Sequence, residues 1–286
     1  PDFVTTNGPA WLEPFAALSP VLWAIWQNSI ATCQSQCLGE FEAARARWLE
    51  VVAKLEPLRG GELHFIEPLI NAVLFGIGTI DTRLGLASAS SWAERLDHDP
   101  YQRISALQLR KIVRLQEGDA AGAERYRRQA EVLALQTAAP QMFKSLLNVE
   151  LILCTKALDL TGVQRLLEET KPLAARHPGW SVNLIWAEAS FQLVRGDLDK
   201  AKQLFESGVG ALKQGADGKP ANRVLATIIH AGLAETLLAM GKPAEARDVA
   251  MAALAWCDGE QIGDVFSDLE CTLSLAEAKL GDAQGA

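Results

Sequence analysis

One short phrase recurs along this chain and restricts what it can fold into. A Gly is followed by a few polar residues, with an Ala about five positions on, opening an Ala-rich stretch. It reads Gly39-Glu40-Phe41-Glu42-Ala43-Ala44, Gly118-Asp119-Ala120-Ala121-Gly122-Ala123, Gly196-Asp197-Leu198-Asp199-Lys200-Ala201 and Gly241-Lys242-Pro243-Ala244-Glu245-Ala246, and it starts again at Gly281-Asp282. Weaker copies at Gly85 and Thr161 fill the gaps, so successive turns stand 46, 33, 43, 35, 45 and 40 residues apart. Self-similarity at a period near forty marks a repeat architecture. Drift in that period is tolerated when each repeat need only contact its neighbours.

The chemistry of the phrase is that of a helix reversal. Gly ends one helix in the left-handed conformation that other residues resist, and the Asp or Pro that follows starts the next as a cap or at its first position. Small residues recur where two helices must approach closely. Seven before the turn residues stand Thr32, Gly78, Cys154, Ala189, Ala234 and Ser274, and five after stand Ala44, Ala123, Ala201, Ala246 and Ala286. Lys111 breaks the first series. First helices are expected over Val21 to Leu38, His64 to Leu84, Tyr101 to Glu117, Gln141 to Leu160, Ser181 to Arg195, Ala221 to Met240 and Ile262 to Leu280. A second helix follows each turn except the last.

Composition agrees with helices and excludes other classes. Apolar residues make up 49% and charged residues 22%, enough for a sizeable core and too apolar for general disorder. The longest apolar window, Leu69 to Ile80, is too short to cross a bilayer. An excess of 35 acidic over 27 basic residues argues against a general nucleic-acid binder. Five cysteines without a framework spacing point to a reducing, cytoplasmic compartment.

The pattern resembles the tetratricopeptide repeat family. Its best matches are Ala189, Gly196, Ala201, Phe205 and Gly208 in one copy and Ala234, Gly241, Ala246 and Ala253 in another. The period exceeds the family's usual thirty-four, and the family's early Trp and late Pro are missing. Long, degenerate repeats of this sort look like those in bacterial signalling proteins, among them nucleotide-binding transcription activators and multidomain serine/threonine kinases. The resemblance implies an all-α, right-handed superhelix of antiparallel helix hairpins, about six and a half repeats over residues 21–286. Residues 1–20 read as a linker or preceding element, and the array as cut inside its seventh hairpin.

The resemblance also implies a binding face on the first helices, at positions ten and three before each turn. These are Ser29, Phe75, Gln108, Leu151, Trp186 and Ala231, with Gln36, Thr82, Leu115, Leu158, Leu193 and Leu238. Asn183 lies one turn of helix from Trp186. The row is mostly apolar and neutral, and it lacks the Lys, Asn and Arg clamp with which the family holds a peptide carboxylate. An apolar helix or extended segment packed on Trp186 and Phe75 suits it better. Arg103, Arg110 and Arg114 share one helical stripe with Lys111 alongside. They form either an anion-binding patch or a solvated face whose stems cover apolar neighbours.

Catalytic and metal signatures do not assemble. The four histidines stand far apart, and Cys33 and Cys37, one helical turn apart, lack a second pair and read as packing residues. No phosphate loop or nucleophile elbow is present. No cofactor, membrane or nucleic-acid partner is expected. The expectation is a non-enzymatic region that binds a protein, a peptide or another domain of its parent. The alternative is a superhelix that senses a small-molecule effector and controls an ATPase, kinase or DNA-binding module.

Overall fold

The computed structural model describes residues 19–61, 65–99, 102–137, 147–215, 217–256 and 263–281. Among them stand thirteen α-helices: α1 Pro20–Cys33, α2 Phe41–Leu55, α3 Ile66–Arg83, α4 Ser88–Asp97, α5 Arg103–Gln116, α6 Ala120–Thr137, α7 Leu147–Lys156, α8 Leu160–Arg176, α9 Ser181–Arg195, α10 Leu198–Ala211, α11 Arg223–Ala239, α12 Pro243–Leu254 and α13 Gly263–Leu280. The chain divides into two compact units, Pro1–Leu146 and Leu147–Ala286. The first holds α1–α6 as three helix pairs, and the second holds three pairs followed by α13. Expected ends at 1–18, 64, 101, 141–146, 262 and 282–286 lie outside the described residues.

The turn chemistry accounts for the pairs. Gly39, Gly85, Gly118, Gly196, Gly241 and Gly281 all have φ between +67 and +87°, and no side chain opposes that geometry at glycine. After Gly118 and Gly196 the next residue is an Asp whose carboxylate accepts from the backbone three residues on, Asp119 from Gly122 N at 2.8 Å and Asp197 from Lys200 N at 3.4 Å. Pro243 stands at the first turn of α12, where a missing N–H costs nothing. The Ala five after these turns is buried at Ala44, Ala123, Ala201 and Ala246, which lets paired helices close on each other.

The fourth turn corrects the register. Thr161 lies inside α8, and the left-handed residue is Leu158, at φ +54°. Leu158 N donates to Thr155 O at 3.1 Å and Asp159 N to Cys154 O at 2.9 Å, the same pair of bonds made by Gly118 to Leu115 and Asp119 to Arg114. The true copy is therefore Leu158-Asp159-Leu160-Thr161-Gly162-Val163, with Asp159 capping Gly162 N at 2.9 Å and Val163 buried where the other copies place Ala. A left-handed L-residue carries about 1–2 kcal/mol of strain. The Leu158 side chain is 73% exposed and returns little by packing. Leu158→Gly is therefore expected to stabilise the protein by about 0.5–1 kcal/mol after the added chain entropy of glycine. Urea denaturation of the two proteins measures it, and a variant no more stable than its parent would refute the strain.

In the first unit the core runs through Phe41, Trp48, Val51, Leu55, Ile70, Leu74, Ile77, Leu96 and Leu109. A carboxylate is built into it. Asp81, near the end of α3 and fully buried, accepts from Arg45 Nε at 2.6 Å and Nη2 at 3.3 Å on α2, from Ser88 Oγ at 2.6 Å, and from Trp92 Nε1 at 2.7 Å on α4. Burial pushes the Asp81 carboxyl up, but the bonds from Arg45, Ser88 and Trp92 outweigh it and hold the pKa below the ordinary Asp value.

In the second unit Leu151, Val163, Leu166, Trp186, Ala189, Ala201, Phe205, Ile229 and Leu237 are among the core residues. Phe205, in α10, sits against Gly232 of α11 so closely that a Cβ there would overlap the ring. Glycine is what lets α10 and α11 pack around that ring.

Candidate functional site

The second unit contains an open-mouthed recess of about 380 Å³, solvent at its mouth included. Its lining residues are Ile152, Thr155 and Lys156 of α7, Trp186, Ser190 and Leu193 of α9, Phe205 of α10, Ile228, Ala231, Gly232 and Glu235 of α11, and Asp268 of α13. All but Phe205 come from the first helices of successive pairs. Counted back from Leu158, Gly196, Gly241 and Gly281, most fall three, six, ten or thirteen residues before a turn. That spacing is one face of an α-helix.

The floor and the rim differ in chemistry. Trp186, Phe205, Ile152 and Ile228 are buried and make the floor apolar. Ser190, 1% exposed, shares that floor, and its Oγ has no hydrogen-bond partner. A buried hydroxyl left unpaired costs about 1–3 kcal/mol, so native proteins rarely keep one. Thr155, one neighbour along the lining, shows the usual solution: its Oγ1 donates to Leu151 O at 2.6 Å.

The rim is ionic and partly exposed. Lys156 Nζ bonds Glu235 Oε1 and lies 3.2 Å from Asp268 Oδ2. Burial works against the Lys156 charge, but the two carboxylates overcome it and hold the ammonium above the ordinary lysine value. Two negative charges thus face one positive charge across the mouth.

Beside the recess, Asn183 Nδ2 on α9 donates to Asn148 Oδ1 on α7 at 3.1 Å. Asn183 and Trp186 lie one turn apart on the face that carries the recess. Asn148 stands ten before Leu158, the place that the misplaced turn assigned to Leu151, a core residue. The corrected register likewise puts Thr155, and not Leu158, three before the turn.

The other sequence candidates belong to the first unit. Phe75 packs partly buried against its core, and Gln108 is 1% exposed. Arg110 Nη1 lies 2.8 Å and Arg103 Nε 3.3 Å from the two oxygens of Asp97, while Arg114 pairs with Glu117 at 2.7 Å. Lys111, between them, is 3% exposed. An anion bound on this stripe must therefore compete with carboxylates already in place.

Among the described residues no group of three His, Cys, Asp or Glu is placed to hold a metal ion, and no helix is long and apolar enough to cross a membrane. His230 is a packed histidine: its Nδ1 meets Ala226 O at 2.7 Å and its ring stands edge-on to Trp256, centroids 4.8 Å apart. Burial lowers its pKa, against the backbone bond.

The recess residues missed by sequence reasoning include Ile152, Ser190 and Glu235, six before their turns, Ile228 and Asp268, thirteen before, and Thr155 and Lys156, close before the misplaced turn. The signal was the three-four-three spacing along each first helix, available once the turns are correctly placed.

No protein-family model and no curated protein matches the chain. Among solved structures it is similar to NprR in complex with its cognate peptide NprX, with a TM-score of 0.56 and 16% identity over 86% of this chain and 75% of that one. The apo form of the quorum sensor NprR from B. thuringiensis gives a TM-score of 0.49 and 17% identity over 84% and 71%. At such identity the first likeness speaks to architecture alone, and it agrees with the helix pairs and left-handed turns above: the chain has the all-α, tetratricopeptide-like helical-repeat fold.

Proposed function

We propose that this chain is a non-catalytic binding region of a larger bacterial signalling or regulatory protein. It takes a peptide or a segment of a partner protein along the first-helix face of its second unit. The observation that carries this reading is the recess shared by α7, α9, α11 and α13, with its apolar floor, its unpartnered Ser190 hydroxyl and the Asn148–Asn183 pair beside it. An apolar pocket with a few placed polar groups is the usual form of a ligand site. Side-chain amides offer both donors and acceptors to a peptide backbone. The fold likeness to a protein whose structure contains a cognate peptide supports the same reading.

Fluorescence polarisation against a random-sequence peptide library tests it. Saturable, mutually competing binding is expected, weakened about tenfold or more by Leu193→Arg, which puts a charge into the apolar mouth. Binding indifferent to Leu193→Arg would remove the recess from the mechanism. A metabolite that competes with the peptides would instead support a small-molecule effector at this face.

A further inference from the structure

The first helix ends in a wide turn that carries two thiols. α1 runs to Cys33 and continues as a π-helical turn, Gln34–Leu38, before Gly39 reverses the chain. Single π turns are rare and frequently lie at functional sites. This one is pinned at its first residue. Gln34 O accepts from Gly39 N and, at 3.0 Å, from Glu40 N. The buried Gln34 side chain donates to Glu40 Oε2 at 2.9 Å and accepts from Arg47 Nε of α2 at 3.1 Å.

Cys33 and Cys37 stand four residues apart across this turn, both free and both half-buried, so a small ion can reach them. Burial pushes the Cys37 thiol up and Cys33 adds to the shift, which puts the two sulfurs within electrostatic reach of each other. Helical residues four apart carry Cβ atoms about 5–6 Å apart, wider than the ~3.5–4.5 Å that a disulfide spans. One atom bridging the two sulfurs suits that separation better than a direct S–S bond. Among the described residues no third His, Cys, Asp or Glu completes a group with them, which disfavours zinc and its tetrahedral ligand set. Thiolates select soft cations, Cu(I) among them.

We propose that Cys33 and Cys37 form a two-sulfur site for a soft monovalent cation of the Cu(I) type. Each thiol releases its proton to solvent as its sulfur takes the ion. Two S–H bonds break and two S–Cu bonds form, with no change of oxidation state. The site belongs to the first unit and is independent of the peptide reading of the second.

Anaerobic titration of the intact chain with Cu(I), buffered by a coloured Cu(I) chelator, tests it. The chain should withdraw about one equivalent of Cu(I) and release about two protons with it. Cys33→Ser and Cys37→Ser should each weaken that uptake about hundredfold or more, with the circular dichroism of the wild type retained, and Cys271→Ser, exposed on α13, should leave it unchanged. X-ray absorption of the loaded wild type, which needs no variant, should find the ion bound by two sulfurs. A wild type that withdraws no more Cu(I) than the Cys33→Ser, Cys37→Ser double variant overturns the proposal, whether or not the pair can be oxidised to a disulfide. Three or more sulfurs on the bound ion, or loss of uptake in Cys271→Ser, overturns it as well.

Discussion

Asp81→Ala is expected to cost about 3–5 kcal/mol, because it removes the fully buried carboxylate on which Arg45, Ser88 and Trp92 converge and leaves the partly buried Arg45 guanidinium and Trp92 indole without that acceptor. A domain's whole stability is about 5–15 kcal/mol, so this one change comes close to unfolding the helices it joins. Asp81→Asn keeps the shape and part of the hydrogen bonding but not the charge, and it should fall between wild type and Ala. Urea denaturation gives the size of the effect, and amide exchange gives its place: α2, α3 and α4 should lose protection together, since Asp81 is the group all three share.

The acid limb carries the same signature. The pKa of Asp81 is lower in the folded chain than in the unfolded one, so its contribution is complete above the ordinary Asp value, near pH 4. It is lost as pH falls through the depressed folded value. The pH dependence of stability on that limb should therefore be shallower in Asp81→Asn than in the wild type. An Asp81→Ala protein within about 1 kcal/mol of wild type would refute the assignment of a structural role to this carboxylate.

Phe205→Ala should cost about 3–5 kcal/mol as well, through the cavity it opens against Gly232 in the core of the second unit. The partner change, Gly232→Ala, drives a methyl into the Phe205 ring and should cost about 1–3 kcal/mol. The informative protein is the double variant. If the ring and the missing Cβ occupy one volume, Gly232→Ala loses its penalty once Phe205 is Ala, and the two costs do not add. A double-mutant cycle by urea denaturation reads the coupling directly. Additive costs would mean that the overlap is relieved by a shift of α11 and not by the ring. Because both residues line the recess, Gly232→Ala should also weaken any ligand seated there.

Much of this architecture was legible as turn chemistry. Six of the seven reversals announce themselves by glycine, because a left-handed residue is costly for every other side chain. The seventh did not, since Leu158 pays that cost and removes the mark. A quieter signal was present: Asp159 with Gly162 three residues later repeats Asp119 with Gly122. Missing it shifted one helix by three residues and exchanged Asn148 and Thr155 for Leu151 and Leu158 on the first-helix face. Trp186 and Asn183 fall on that face as expected because their turn, Gly196, was placed correctly.

What could not be read was whatever depends on the neighbours of a side chain. A serine six before a turn looks like any helix serine until its hydroxyl is seen to lack a partner. Asp81 reads as a surface acid at the end of a helix, and only the convergence of α2 and α4 on it makes it an interior acceptor. The Arg103, Arg110 and Arg114 stripe is visible in sequence, but the acids that meet it are not all on its own helix: Asp97 comes from α4.

The Lys156 bridge has a mechanical side. It runs from α7 past α9 to α11 and α13, so it spans helix pairs that are not consecutive, in a stack otherwise held by contact between neighbours. It ties the first helices of those pairs directly to one another. Without it, α7 would be held to α11 and α13 only through the helices packed between them.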